Sequence, residues 1–295
     1  MGKETEVKLR ARKRAGRHVV ARRAVAAFTR PSGRLAIVGA LTAGVVVAVT
    51  PANGAATDIV SHVTGAVRDL AESKAVTANG VSFSGTPAVG ALFTSRDGKL
   101  GSHFCTASVV NSPHGDLAVT AAHCMTNVSG AVVFIPGYDA GKAPYGTWPV
   151  TKVYVDRAWS SGQSQDDDIA FIRIGQPGST TPIEDVTGAE TLATKTAIKQ
   201  LVEVIGYPDG GSQAITCENW TSQPMADQLQ FDCGGYTDGT SGGPFLADVN
   251  AATGQGTVIG IIGGLDQGGY TPQVSYSIEF EQNVADLYKT AVAGG

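Results

Sequence analysis

The chain has 295 residues and a formal net charge of −4, from 22 Lys+Arg against 26 Asp+Glu. That charge is unevenly divided: residues 1–56 hold 11 cations and 2 acids, whereas residues 57–295 hold 11 cations and 24 acids. An acidic body has no basic stripe to neutralise phosphates, which excludes a nucleic-acid partner. Its 38 glycines, with little sustained helical periodicity, point to strands and turns.

Basic residues crowd the first 34 positions and the apolar run Leu35 to Val49 follows, then the small residues Pro51-Ala52-Asn53-Gly54-Ala55-Ala56. A basic region, a short apolar region and a small-residue site form a secretory signal peptide. The apolar run is 15 residues long, below the roughly 18 to 20 needed to cross a bilayer. Residues 1–56 are therefore read as a signal peptide and the protein as secreted. A membrane association would arise only if that segment were retained. Residues 57–82 differ again, with Ile59, Val63, Val67 and Leu70 at near-helical spacing among charged residues. They read as a propeptide or as an ordinary N-terminal extension, ahead of a body spanning 83–295.

From Val81 the pattern becomes short apolar or alternating runs separated by turn residues. Strands are expected over 88–93, 103–110, 117–121, 131–135, 150–155 and 168–174, then over 202–206, 215–220, 228–232, 258–262 and 274–278. Asp97-Gly98, Pro136-Gly137, Pro208-Asp209-Gly210-Gly211 and Gln267-Gly268-Gly269 punctuate them. Many short strands at this spacing suggest barrels or sandwiches. One helix closes the chain, with Val284, Leu287, Tyr288 and Val292 on one face and Asn283 as its cap.

The four cysteines, Cys105, Cys124, Cys217 and Cys233, all lie in the exported part. An even count in a secreted chain favours two disulfides. Cys105 and Cys124 fall on neighbouring candidate strands, and Cys217 and Cys233 flank one loop, so those are the expected pairs. A metal site is not expected, because neither pair has CxxC spacing and no ligand pattern surrounds His103 or His114.

The chemistry concentrates in Asp238-Gly239-Thr240-Ser241-Gly242-Gly243-Pro244. Glycines around a serine let the backbone turn sharply and expose both a hydroxyl and nearby amide N–H groups. Upstream stand Thr120-Ala121-Ala122-His123-Cys124 and Asp168-Ile169-Ala170, so the order along the chain is His, Asp, Ser. A serine hydroxyl needs a hydrogen-bonded base to become a nucleophile at neutral pH, and an imidazole is suited to that task. Asp168 is preferred over Asp166 and Asp167 as the group that orients His123, because it directly precedes the apolar run Ile169–Ile174.

These three stretches resemble the His, Asp and Ser signatures of the chymotrypsin/trypsin-like serine proteases, and the closing helix resembles that of bacterial secreted members. The resemblance covers Phe83 to the C-terminus. It implies an all-β fold of two antiparallel six-stranded β-barrels with a C-terminal helix, and an active site between the barrels. It also implies a secreted serine endopeptidase that acts as a monomer on protein or peptide substrates through an acyl-enzyme, with no cofactor. The N–H groups of Gly239 and Ser241 would form the oxyanion hole. The other reading is an inactive protease-fold module that binds peptides or a partner protein.

Two departures stand out. Thr240 occupies the position where most members carry an aspartate that binds the freed N-terminus, so activation by that ion pair is not expected. Six residues before Ser241, where trypsin-like enzymes carry an aspartate, stands Gly235, and the stretch Val258 to Gly264 lacks the histidine of the glutamyl-endopeptidase branch. The specificity pocket is therefore expected from Gly235, Ile261, Ile262 and Gly263, with aliphatic walls and a preference for apolar residues before the cut.

Overall fold

The computed structural model of the chain describes residues 78–126 and 128–294. The signal peptide expected over 1–56 and the amphipathic stretch up to residue 77 lie outside the described residues. Among the described residues no helix is long and apolar enough to cross a membrane.

Two short strands come first, β1 (Ala78–Asn79) and β2 (Val81–Phe83). Six more follow: β3 (Val89–Arg96), β4 (Lys99–Val110), β5 (Leu117–Thr120), β6 (Ala131–Pro136), β7 (Trp148–Val155) and β8 (Ala170–Ile174). They close into a barrel in the order β3-β4-β5-β8-β7-β6, every ladder antiparallel. Gly90 sits where β6 returns to β3, and a Cβ there would overlap the backbone of Ile135 and Pro136, so closure demands glycine. Leu92, Phe134, Trp148 and Ile172 are buried in its core, and Phe171 is buried against Tyr288 of the closing helix. Each fully buried side chain of this size contributes about 2 kcal/mol.

The second half is built from β9 (Thr191–Leu192), β10 (Leu201–Gly206), β11 (Ala214–Met225), β12 (Gln228–Gly234), β13 (Pro244–Ala247), β14 (Thr257–Ile261) and β15 (Val274–Ile278). Its six longer strands pair antiparallel, and the seam between β14 and β15 is joined by Gly263 N–H to Tyr276 O at 3.0 Å and Ile261 N–H to Ser277 Oγ at 2.9 Å. Alternation sets its core: Leu229, Phe231 and Cys233 on β12 are buried while Asp232 faces solvent. Two additions depart from a purely antiparallel barrel, since β1 runs parallel to β12 and β9 parallel to β14. β2 pairs with β11. The folded body thus includes Ala78 to Ser82, ahead of the boundary expected at residue 83.

Two short helices, α1 (Arg157–Gly162) and α2 (Glu184–Thr187), interrupt the strands. The side chain of Asp156 caps α1 by accepting from Ala158 N–H at 2.6 Å. Helix α3 (Gln282–Ala293) closes the chain and buries Val284, Leu287 and Ala291. Asn283 is not its cap. Position Glu281 precedes the helix, and Asn283 Nδ2 donates instead to Asp167 Oδ1 at 3.0 Å and Asp166 O at 3.3 Å. The other end of α3 is held by cations, as its dipole favours: Arg173 Nη2 donates to Ala291 O and Lys152 Nζ to Gly294 O.

Candidate active site

Strand pairing brings the histidine and the aspartate together. Thr120 on β5 lies opposite Ala170 on β8. His123 follows Thr120 by three residues in a 3₁₀ turn, and Asp168 precedes Ala170 by two, so both emerge at one end of the first barrel. Asp168 is fully buried (0 % exposed). Its Oδ2 lies 2.7 Å from His123 Nδ1, and its Oδ1 accepts from the His123 backbone N–H at 2.9 Å. Gly264 N–H donates to Oδ2 at 3.0 Å. Three donors compensate the buried carboxylate, which would otherwise be costly to desolvate. An ionised carboxylate only accepts, so Nδ1 carries the proton and Nε2 presents its lone pair. Asp166 is exposed and bonds Gln228, while Asp167 bonds Ser164 and Asn283.

Ser241 sits at the end of the turn that leads into β13. Gly239 and Gly242 beside it have φ of 88° and 81°, values that favour glycine. The turn is braced by Gly243 N–H to Thr240 O and Gly242 N–H to Ile262 O. Thr106 on β4 fastens it to the first barrel: its N–H donates to Ser241 O at 2.8 Å and its hydroxyl to Gly239 O at 3.0 Å. The Asp238 carbonyl accepts from Asp209 N–H at 2.6 Å. In a trans peptide C=O and N–H point oppositely, so the Gly239 N–H is turned away from Asp209 and free for a ligand. Thr240 is buried and its hydroxyl donates to Thr237 O at 2.7 Å.

Both disulfides join the expected partners. Cys105–Cys124 (Cα–Cα 6.2 Å) ties the residue before Thr106 to the residue after His123, and Cys217–Cys233 (6.7 Å) ties β11 to β12. Cys105, Cys124 and His123 converge closely enough to suggest a metal cage, but both sulfurs are spent in the disulfide. His103 Nε2 lies 2.9 Å from Pro208 O and its ring packs against Phe93, while His114 is exposed.

His123 and Ser241 line two adjoining cavities, of 910 and 680 Å³. The larger also contacts Arg96, Lys99 and Phe104. The smaller lies between the stretches that precede Ser241 and follow β14, where the specificity pocket was expected. Of the four residues expected there, Ile262 lines this cavity. Ile261, the last residue of β14, is buried in one core cluster, and Ile262, just past it, is buried in the other. Gly263 backs onto Asp168 and Ala121, and Gly235 turns beside Gly80 and Ile215 at φ 98°. The wall is instead polar, with Thr237, Asp238, Asp266 and Tyr270, and Asp209 at the rim. Asp232 lines a separate groove beside Trp220. Asp266 and Gln267 both adopt left-handed φ (53° and 57°), which costs each about 1 to 2 kcal/mol. Sequence reasoning also missed Thr106 and Gly264, whose roles rest on main-chain position that no motif marks.

A search of curated proteins gives no match, whereas the trypsin family model matches residues 79–285. Solved structures share the fold. Protease Anisep from Arthrobacter nicotinovorans superposes with a TM-score of 0.61 at 22% identity, covering 72% of this chain and 98% of its own. The thermostable serine protease AL20 from an extremophilic microorganism gives 0.61 at 24% identity, covering 71% and 99%. A Glu endopeptidase gives 0.57 at 16%, covering 73% and 97%. With a family match over most of its length and a barrel that brings His123 and Asp168 together beside Ser241, the chain belongs to the trypsin family of chymotrypsin-like serine proteases.

Proposed function

We propose that the protein is a secreted serine endopeptidase that cleaves peptide bonds with Ser241 as nucleophile, His123 as general base and Asp168 as the group that orients the histidine. The observation that carries this reading is the buried Asp168 carboxylate bonded to His123 Nδ1 and N, in a cleft shared with Ser241. His123 Nε2 takes the Ser241 proton as Oγ attacks the scissile carbonyl. The N–H groups of Gly239 and Ser241 receive the oxyanion, each worth on the order of 3 kcal/mol in the transition state. Collapse expels the amine, protonated by His123, and leaves an acyl ester on Ser241 that water hydrolyses with His123 again as base. Protein groups complete this chemistry, so no cofactor is called for. The two disulfides fit an oxidising, extracellular setting.

The 680 Å³ cavity receives the side chain before the cut. Its Asp209, Asp238 and Asp266, with no lysine or arginine among the described residues lining it, disfavour an acidic side chain and suit a cationic or polar one. Glutamate selectivity, named for one structural neighbour, is therefore not carried to this chain.

Ser241→Ala in the exported protein tests the proposal. Hydrolysis of a peptide library should vanish, and a phosphonylating reagent should label the parent at Ser241 but not His123→Ala. Undiminished hydrolysis by Ser241→Ala would end the assignment.

A further inference from the structure

The N-terminal strands β1 and β2 enter the sheet between β11 and β12, where those two strands part. Thr221 still pairs with Phe231, but beyond it Val81 to Phe83 take up Thr216 to Ala214, and Ala78 and Asn79 take up Cys233 and Gly234. Gly80 links the two short strands, and its N–H donates to Gly234 O at 2.7 Å. The fit is close on both sides. A Cβ on Gly80 would lie 2.9 Å from Ile215 Cδ1 and 3.3 Å from Gly234 O, and a Cβ on Gly234 would overlap Asn79 Oδ1.

Gly234 ends β12, and the next residues are the wall of the smaller cavity and the turn that carries Gly239. Gly235, at φ 98°, is the pivot between them. Past the pivot the main chain is held by Tyr236 N–H to Pro272 O, Thr237 N–H to Gly235 O, Thr240 N–H to Thr237 O, Asp238 O from Asp209 N–H, and at its far end Gly239 O from the Thr106 hydroxyl. On its upstream side Gly234 takes the bond from Gly80, beside Cys233, which the disulfide ties to Cys217. We infer that Ala78, Asn79 and Gly80 are positioning residues, which fix where the Gly235–Gly239 stretch begins and so aim both the pocket wall and the Gly239 N–H. This deepens the proposed function and rests on it. It follows that any N-terminal processing must leave Ala78 to Gly80 on the mature chain, because a cut after Gly80 removes the clamp.

The test is Gly80→Val in the full chain, compared with Val132→Ala on β6, a buried position of the first barrel that lines neither cavity. Gly80→Val should lower kcat/KM at least tenfold, mostly through kcat, because a misaimed Gly239 donor is felt in the transition state. Phosphonylation of Ser241 should slow in the same proportion. Val132→Ala should lower Tm without that loss of kcat. If Gly80→Val does not fold, Gly234→Ala presses on Asn79 from the other side and should give the same kcat-weighted loss. Unchanged kcat in these variants, or a loss no larger than that of Val132→Ala at matched Tm, would overturn the inference. A parent chain without Ser241-dependent hydrolysis would instead remove the proposed function itself.

Discussion

Glu190 makes stability depend on pH in a direction unusual for a carboxylate, and replacing it with glutamine should reveal this. Its side chain is fully buried (0 % exposed), its Oε2 accepts from Gly256 N–H, and its Oε1 is without a partner among the described residues. The backbone on either side is pinned, Glu190 N–H to Val109 O and Asn111 N–H to Glu190 O, so the side chain cannot swing to solvent cheaply. Burial raises its pKa from the ordinary 4.5 to about 8; the Gly256 bond opposes this and the charge of Glu203 adds to it. The unfolded chain releases the proton near pH 4.5, whereas the folded protein keeps it until about pH 8. Between those values the folded state binds more protons, so stability falls as pH rises, by about 1.4 kcal/mol per unit. Over the full window the loss is on the order of 5 kcal/mol, complete above pH 8. Urea denaturation at pH 5, 6.5 and 8.5 measures it. Glu190→Gln should flatten the slope and exceed the parent in stability at pH 8.5. Equal slopes in the two proteins would refute the reasoning.

Asp168→Asn should lower kcat on the order of 10⁴-fold by favouring the wrong imidazole tautomer, while Asp166→Asn stays within tenfold; equal losses would undo the assignment of Asp168. Non-reducing peptide mapping should recover Cys105–Cys124 and Cys217–Cys233 with no free thiol among these four, and removing either bridge should cost about 3 kcal/mol in thermal or urea unfolding. Peptides with Lys or Arg before the cut should be hydrolysed faster than matched Glu peptides, and Asp238→Asn with Asp266→Asn should narrow that ratio; a preference for Leu or Phe that survives both changes would restore the apolar pocket.

What could be read from the chain was governed by local chemistry. The strand runs, the closing helix and the cysteine pairs follow from periodicity and spacing, and the His123, Asp168 and Ser241 stretches stand where register alone places them. β13 escaped notice because it is four residues long, opens on Pro244 and follows directly from the nucleophile turn, with no alternation to mark it. β1 and β2 escaped because their pairing is wholly long-range, with Ala78 meeting Cys233 and Phe83 meeting Ala214. Asn283 has the chemistry of a helix cap, but it lies inside the first turn, where its Oδ1 accepts only from the next N–H, that of Val284, and its amide donates to Asp166 and Asp167.

The lining of the smaller cavity departs from the expected residues for a different reason. Counting back from Ser241 identifies Gly235 correctly as a position, but a pocket is set by where two loops converge, and counting carries no information on that. Ile261 and Ile262 are equivalent as composition, yet Ile261 ends β14 in one core cluster while Ile262, just past the strand, is buried in the other and edges the cavity. Past them the chain spends two left-handed residues, Asp266 and Gln267, to fold back beside Ser241. Asp266 tolerates that region better than most residues and Gln267 does not, and no turn motif marks the pair. Strain of this kind persists only where surrounding bonds impose it, here Gly264 N–H on Asp168 and Leu265 N–H on Gln228 Oε1. The same Gly264 bond helps hold the carboxylate that orients His123. Under the proposed function, specificity and catalysis are joined at one glycine: a change that lets the Asp266 loop relax also loosens a donor on Asp168. Alterations aimed at the pocket through this loop will therefore register in kcat as well as in the choice of side chain.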